Sequence, residues 1–73
     1  MSAKEKFEEL GYELINHHNI VYKGKHDTGR IIHIAFFDDK KILITQSIGI
    51  KELQAINKQV EELGWNKWIN MKM

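Results

Sequence analysis

Residues 30–37 read Arg-Ile-Ile-His-Ile-Ala-Phe-Phe, and this stretch decides the fold. Its β-branched and aromatic residues predict a β-strand, in which successive side chains point to opposite faces of the sheet. One face would carry Ile32, Ile34 and Phe36, and the other would carry Ile31, His33, Ala35 and Phe37. A sheet with one face in water alternates apolar and polar residues, and this strand does not. We therefore expect a central strand whose two faces are both covered.

The segments on either side of residues 30–37 predict the rest of an antiparallel sheet. Extended, partly apolar runs precede and follow it: Tyr12–His18, Ile20–Lys25 and Ile42–Ser47. Residues that favour turns separate the runs at His18-Asn19, Lys25–Gly29 and Asp38–Lys41. Short connections between successive strands imply an antiparallel meander, here of three or four strands.

Two helices are predicted, one at each end of the chain. Ser2 and Glu5 have the spacing of a capping box, which opens a helix, and Gly11 can close that helix. An apolar stripe at spacings of three and four predicts a second helix from about Ile50 to Leu63, laid on the sheet. The stripe consists of Leu53, Ile56, Val60 and Leu63. Both helices end in Glu-Glu-Leu-Gly followed by an aromatic residue. The fold class is thus α+β, an antiparallel meander with an N-terminal and a C-terminal helix packed on it.

Length and charge restrict the class of protein. A chain of 73 residues forms one domain, residues 1–73, and without cysteine it has no disulfide or cysteine-bound zinc. The net charge of +1 creates no long-range field to attract nucleic acid or anionic lipid. The charged start, Met-Ser-Ala-Lys-Glu-Lys, and the lack of a long apolar run predict a cytoplasmic protein without a membrane segment.

The residues that carry chemistry are poorly placed for catalysis. Ser2 and Ser47 lie at the expected helix starts, where capping explains them, and the five glycines form no phosphate-binding loop. His17 and His18 are adjacent on a predicted strand, so their side chains would point to opposite faces. One of them could meet His33 across the sheet, with Glu13 nearby, but such a set still lacks a fourth zinc ligand. We expect no enzyme, no cofactor, no metal site and no small-molecule substrate.

Apolar surface on the third strand and at the C-terminus points to a protein partner. Residues 65–73 contain two Trp, one Ile and two Met, an unusual content for a chain end. Trp and Met are enriched in protein interfaces, although these aromatics could also fold back to cap the core. The candidate interface residues are Ile31, Ala35, Phe37, Trp65, Trp68 and Ile69. The occupant would be another protein or a second copy, and a homodimer is favoured because two short helices are too few to cover both faces of the sheet.

A nucleic-acid-binding module is the alternative hypothesis. Basic residues interleaved with an aromatic residue on a sheet can contact phosphates and stack on bases. The candidate contacts are Tyr22, Lys23, Lys25, Arg30, Lys40 and Lys41. Three aspartates accompany the five basic residues of the segment 21–41, a balance that is also typical of a solvated sheet edge.

Two motifs carry a family resemblance: Lys-Phe-Glu-Glu-Leu-Gly-Tyr-Glu at residues 6–13, and Lys-Glu-Leu-Gln-Ala-Ile-Asn-Lys-Gln-Val-Glu-Glu-Leu-Gly-Trp at residues 51–65. With them the chain resembles a group of small uncharacterised proteins from prophages and accessory regions of Gram-positive bacteria. The likeness covers about residues 4–65, with the strands matching in pattern more than in identity. It implies a compact α+β accessory protein of phage type, cytoplasmic in its host. That group has no assigned activity, so the resemblance implies no catalytic or binding residues.

Overall fold

The computed structural model describes residues 1–65, in which the chain forms two helices and four strands. In chain order these are α1 (Ala3–Glu9), β1 (Glu13–Asn16), β2 (Ile20–Lys25), β3 (Ile31–Phe36), β4 (Ile42–Ile44) and α2 (Ile50–Leu63). The predicted α+β class is confirmed, and the meander has four strands. The predicted bounds of the second helix, Ile50 to Leu63, agree with those of α2.

The four strands form one antiparallel sheet in the order β1-β2-β3-β4. Across it, Leu14 pairs with Tyr22, Tyr22 with Ile34, and Ile34 with Ile44. The strand β3 lies between β2 and β4, as its apolar sequence predicts. The register between β1 and β2 shifts between Leu14 and Asn16, so Ile15 is the extra residue of a bulge in the edge strand β1.

Both helices lie on the same face of the sheet. The buried core joins Phe7 of α1 and Ile56 of α2 to the side chains that β2 and β3 direct to that face. From the sheet these are Tyr22, Ile32, Ile34 and Phe36. The set Ile32, Ile34 and Phe36 that alternation assigns to one face of β3 is therefore the helix-covered set. Within residues 1–65, neither helix covers the opposite face.

Tyr22, near the centre of the sheet, contacts both helices at once. Its ring stacks on Phe7 of α1, with centroids 3.9 Å apart and planes 19° from parallel. Its hydroxyl donates a hydrogen bond of 2.7 Å to Oε1 of Gln59, the buried polar residue of α2. A buried amide requires such a partner, because leaving it unpaired costs free energy. These two contacts fix the position of α1 and α2 over β2.

The repeated Glu-Glu-Leu-Gly-aromatic sequence closes both helices in the same way. Gly11 and Gly64 adopt positive φ angles of 89° and 76°, which glycine reaches at little cost. After α1, the Gly11 amide donates to the Glu8 carbonyl and the Tyr12 amide to the Phe7 carbonyl. The amides of residues 64 and 65 donate to residues 61 and 60 in the same pattern. These paired bonds define a Schellman motif, used twice.

The short helix α1 is stabilised at its N-terminus from two sides. The capping box forms as predicted, because the Glu5 amide donates to Ser2 Oγ and the Ser2 amide donates to Glu5 Oε1. In addition, the Ala3 amide donates a 2.7 Å bond to Oε2 of Glu62 on α2. A carboxylate near free amides at a helix N-terminus is favourable. The second helix therefore helps to hold the first.

The orientation of α2 differs from the predicted stripe. Ile56 faces the core and Val60 packs against it, but Leu53 and Leu63 are exposed. The buried face instead includes Ala55 and Gln59. The physical reason is the Tyr22 hydroxyl, which draws Gln59 inward and rotates the helix away from a purely apolar contact.

Three predicted strands are shorter than expected, and one predicted cap is wrong. The strand predicted at residues 30–37 lacks Arg30 and Phe37 in the structure. The strand expected at Tyr12–His18 ends at Asn16, whose side chain accepts the His18 amide and starts a turn. His17 and His18 therefore lie in that turn and not on a strand. Thr45, beyond the end of β4, bonds the backbone of β3 partly through its side chain. Ser47 does not cap α2, because the N-cap position is Gly49.

Neither α1 nor α2 combines the length and the apolar character that crossing a lipid bilayer requires; this finding applies to residues 1–65.

Replacing Gly24 by alanine tests the packing of Tyr12 on β2. A Cβ atom at Gly24 would approach ring atoms of Tyr12 to 2.8 Å, a distance at which the ring must move. We expect Gly24→Ala to lower the free energy of unfolding by about 1–3 kcal/mol in urea denaturation, the usual cost of overpacking. Gly49→Ala is the matched control, because its Cβ would meet only the flexible end of Glu52. Equal stability of Gly24→Ala and wild type would contradict the packing.

The buried hydroxyl of Tyr22 predicts a loss of stability at alkaline pH. Burial, together with nearby Glu62 and Glu8, raises the pKa of Tyr22 to about 12, from 10.0. Between these values the unfolded chain releases a proton that the folded protein retains, so stability falls as pH rises from 10 towards 12. The fall is about 2–3 kcal/mol for this group.

The matched variant Tyr22→Phe removes the titrating group and keeps the ring. We expect its free energy of unfolding to decline less steeply between pH 10 and 12 than that of wild type, measured by urea denaturation at each pH. Lysine deprotonation affects both proteins alike. Parallel pH profiles for the two proteins would show that Tyr22 is not held protonated by the fold.

Candidate functional site

The sheet face opposite the helices, which we call the open face, carries most of the exposed large apolar side chains of the sheet. On it Leu43 is 51% exposed, Ile31 49%, Ile15 47% and Phe37 37%. Water is an unfavourable surrounding for such side chains, at about 25 cal/mol for each Å² of apolar surface. Scattered exposed apolar residues are normal, whereas a contiguous group indicates an interaction surface.

The strand register makes part of this group contiguous. Ala35 of β3 pairs with Val21 of β2 on one side and with Leu43 of β4 on the other. In β1 the partner of Val21 is Asn16, and Ile15 lies beside it as the extra residue of the bulge. An apolar row therefore crosses β2, β3 and β4 and ends at the β1 bulge, where Ile15 adds an exposed apolar side chain. We call this row, together with Ile31 at the start of β3 and Phe37 just after its end, the apolar patch.

The polar residues of the open face lie in a second row beside the apolar one. Glu13 pairs with Lys23, and Lys23 with His33. His33 in turn bonds Thr45, whose Oγ1 accepts the His33 amide at 2.9 Å. Lys25 lies beyond this row, opposite Ile31. The polar row thus borders the apolar row on one side and separates it from Ile31.

Of the interface residues predicted from sequence, three lie on the open face. Ile31 and Phe37 are exposed there, and Ala35 lies between Val21 and Leu43 but is itself only 5% exposed. Ala35 therefore forms the floor of the patch and not a protruding contact. Trp65 lies elsewhere, packed against the core with its ring centroid 6.1 Å from that of Phe36. The other two predictions, Trp68 and Ile69, lie outside the described residues.

Three members of the apolar patch do not appear among the sequence predictions: Ile15, Val21 and Leu43. Alternation along β2 and β4 could have predicted that Val21 and Leu43 lie on the open face, because it places them on the same face as the polar residues Lys23 and Thr45. The bulge at Ile15 leaves no comparable signal, since it depends on the pairing of β1 with β2.

The predicted nucleic-acid contacts do not form one surface. Tyr22 was the aromatic residue expected to stack on bases, and this prediction is wrong because Tyr22 is 2% exposed and packed under the helices. Lys23 and Lys25 lie on the open face near one end of the strands, with Arg30 in the adjoining turn. Lys40 and Lys41 lie at the other end, where Lys41 is 3.6 Å from Asp39.

His26 and Ser47 form a contact that the sequence does not predict. His26 Nε2 lies 3.0 Å from the Ser47 carbonyl oxygen and 3.1 Å from Ser47 Oγ. The Thr28 amide donates to His26 Nδ1 at 3.3 Å, and Thr28 Oγ1 lies 3.0 Å from the same atom. A carbonyl oxygen only accepts, so Nε2 carries the proton and Nδ1 accepts.

That tautomer decides what the pair can do. A general base must accept the proton of the nucleophile, which here would be the Ser47 hydroxyl. The His26 nitrogen nearest that hydroxyl, Nε2, already carries a proton because it donates to the Ser47 carbonyl oxygen. The contact of His26 with Ser47 is therefore a link between the β2–β3 turn and the loop before α2. A cleft of about 270 Å³ beside it is lined by polar and charged residues, among them Asp27, Lys25 and Glu52.

The histidines form no metal-binding group among residues 1–65. No set of three histidine, aspartate or glutamate side chains converges there in a way that could hold an ion. His17 and His18 lie in the β1–β2 turn, so the predicted meeting of one of them with His33 across the sheet does not occur. His26 is engaged with Thr28 and Ser47, and His33 lies on the open face.

Replacing His26 tests whether the link is structural. His26→Ala removes the bond to the Ser47 carbonyl, and we expect it to lower the free energy of unfolding by about 1 kcal/mol. Ser47→Ala keeps that carbonyl and should cost less than about 0.5 kcal/mol. Urea denaturation of both variants provides the measurement. A larger loss for Ser47→Ala than for His26→Ala would contradict the assignment.

No family model, curated protein or solved structure matches this chain. The candidate site therefore rests on its own geometry, and the feature that this geometry supports is the apolar patch on the open face.

Proposed function

We propose that this chain is a small non-enzymatic protein that acts by binding protein through its open face. The observation that carries the proposal is the apolar row Val21, Ala35 and Leu43, which crosses three strands on the side away from both helices and has the exposed bulge residue Ile15 at its β1 end. The prophage resemblance adds the setting of a phage-derived accessory protein in the bacterial cytoplasm.

The chemistry of the patch favours a protein over a nucleic acid. Five of its six members are aliphatic, and only Phe37 could stack on a base. Sheet surfaces that bind single-stranded nucleic acid use several stacking rings beside cationic groups. Lys23 and Lys25 border the patch, but Glu13 lies directly opposite Lys23 in the register. An apolar centre with a polar rim of mixed charge is the usual composition of a protein interface.

A capture experiment with two matched variants tests the proposal. Leu43→Lys places a charge in the apolar row, at an edge-strand position where the side chain faces away from the core. Leu53→Lys places the same charge at a comparably exposed position, 41% exposed, on α2. The full chain and both variants are immobilised separately and exposed to lysate of a Gram-positive bacterium, and bound protein is compared by quantitative mass spectrometry.

Copies of this chain are added to the lysate. We expect wild type and Leu53→Lys to retain the same proteins, including these added copies. Leu43→Lys should retain at least tenfold less, because a charge buried at an interface costs more than 1.4 kcal/mol. Circular dichroism and thermal melting confirm that both variants fold. Equal retention by all three proteins would contradict the proposal. Labelled single-stranded DNA at low salt tests the nucleic-acid hypothesis. That hypothesis would be favoured if wild type and Leu43→Lys bind the DNA equally and Lys23→Ala binds it more weakly.

A further inference from the structure

We infer that the occupant of the open face is a second copy of this chain, packed sheet against sheet about a two-fold axis. This inference rests on the proposed function, since it names the partner for the same surface. The resulting dimer has four layers, with the two sheets inside and the helices of each copy outside.

A two-fold axis parallel to the strands, between β2 and β3, superposes apolar residues on apolar residues. It reverses the strand order, so that β1 of one copy faces β4 of the other and β2 faces β3. The β1 bulge, Ile15 with Asn16, then lies over Leu43 of the second copy, and Val21 lies over Ala35 of the second copy. The large side chains at the edges oppose each other, and the small Ala35 leaves room for the branched Val21. The apolar row is thus complementary to itself.

The polar row is compatible with the same axis. Glu13 of one copy faces Thr45 of the other, and Lys23 faces His33. Farther along, Lys25 faces Ile31, over which its aliphatic stem can lie with the ammonium group in water. No lysine is placed over a lysine. Since the net charge of the chain is only +1, two copies meet without strong long-range repulsion.

The rotation between packed sheets leaves this pairing in place at the inner strands. Aligned sheets cross at about 30°, which displaces an edge strand about 7 Å from the axis by about 4 Å along its length, or about half of the separation of about 7 Å between successive rows on one face. The inner strands β2 and β3 lie about 2.4 Å from the axis and shift by only about 1.4 Å. Val21 and Ala35 therefore still face each other, and the longer side chains at the edges shift by about half a row.

The size of the face sets the strength of the dimer. Four strands at about 4.8 Å and six residues at about 3.3 Å give an area of about 19 by 20 Å. A stable dimer of standard size buries about 800 Å² of accessible surface on each partner. The flat area of the open face, about 380 Å² at most because β1 and β4 are shorter than six residues, is less than half of that value. We therefore expect a reversible dimer with a Kd in the micromolar range.

Sedimentation equilibrium tests the inference on the full chain and on the variants Leu43→Lys and Leu53→Lys. Over a range from about 10 μM to about 1 mM, which spans a micromolar Kd, the wild-type average mass should rise from one copy to two. Leu53→Lys should follow wild type, and Leu43→Lys should remain at the mass of one copy throughout. Ile31→Lys, at the opposite side of the patch, is a second variant should Leu43→Lys fail to fold. Moderate salt should leave the association nearly unchanged because the contact is apolar.

The outcomes separate this inference from the proposed function. A wild-type chain that stays monomeric up to millimolar concentration overturns the dimer, yet selective loss of capture by Leu43→Lys would still support binding of a different protein at the patch. A dimer that Leu53→Lys disrupts and Leu43→Lys preserves overturns both statements, since it places the contact on α2. If the wild-type chain stays monomeric and Leu43→Lys captures as much protein as wild type, both statements are overturned as well.

Discussion

The structure depends on the way Tyr22 holds two helices over one strand. The ring stacks on Phe7 of α1 at 3.9 Å, and the hydroxyl donates to Gln59 of α2 at 2.7 Å. Because both contacts come from one side chain, both helices must lie on the face to which Tyr22 points. The bond between the Ala3 amide and Glu62 then joins the helices directly. This arrangement concentrates the core on one side of a four-stranded sheet. Within residues 1–65, only one face of β3 is covered by the helices.

The open face follows from that concentration, and its composition determines what it can do. The solvated face of an antiparallel sheet is mainly polar, whereas here an apolar row crosses three of the four strands and ends at the β1 bulge. The same register that places Ala35 between Val21 and Leu43 gathers Glu13, Lys23, His33 and Thr45 beside it. Apolar and polar rows that superpose under a two-fold rotation provide a surface suited to a second copy.

Much of the fold can be predicted from the sequence, because it is encoded locally. The capping box at Ser2 and Glu5, the two Schellman endings at Gly11 and Gly64, and the alternation in residues 30–37 each involve neighbouring residues. What could not be predicted depends on contacts distant in sequence. The rotation of α2 requires the Tyr22–Gln59 bond, the exposure of Ile15 requires a bulge against β2, and the burial of Tyr22 requires α1. The wrong expectation that Tyr22 contacts nucleic acid arose because alternation alone does not show which face the helices cover.

Isotope-filtered nuclear Overhauser spectroscopy on a mixture of labelled and unlabelled full-length chains tests the account most directly. It detects only contacts between different copies, and it identifies the methyl groups that make them. At millimolar concentration the account predicts intermolecular contacts between the methyl groups of Ile15 and Leu43 and between those of Val21 and Ala35. It predicts none at Leu53 on α2. Intermolecular contacts confined to α2, or none anywhere on the sheet, would contradict a dimer formed by the open face.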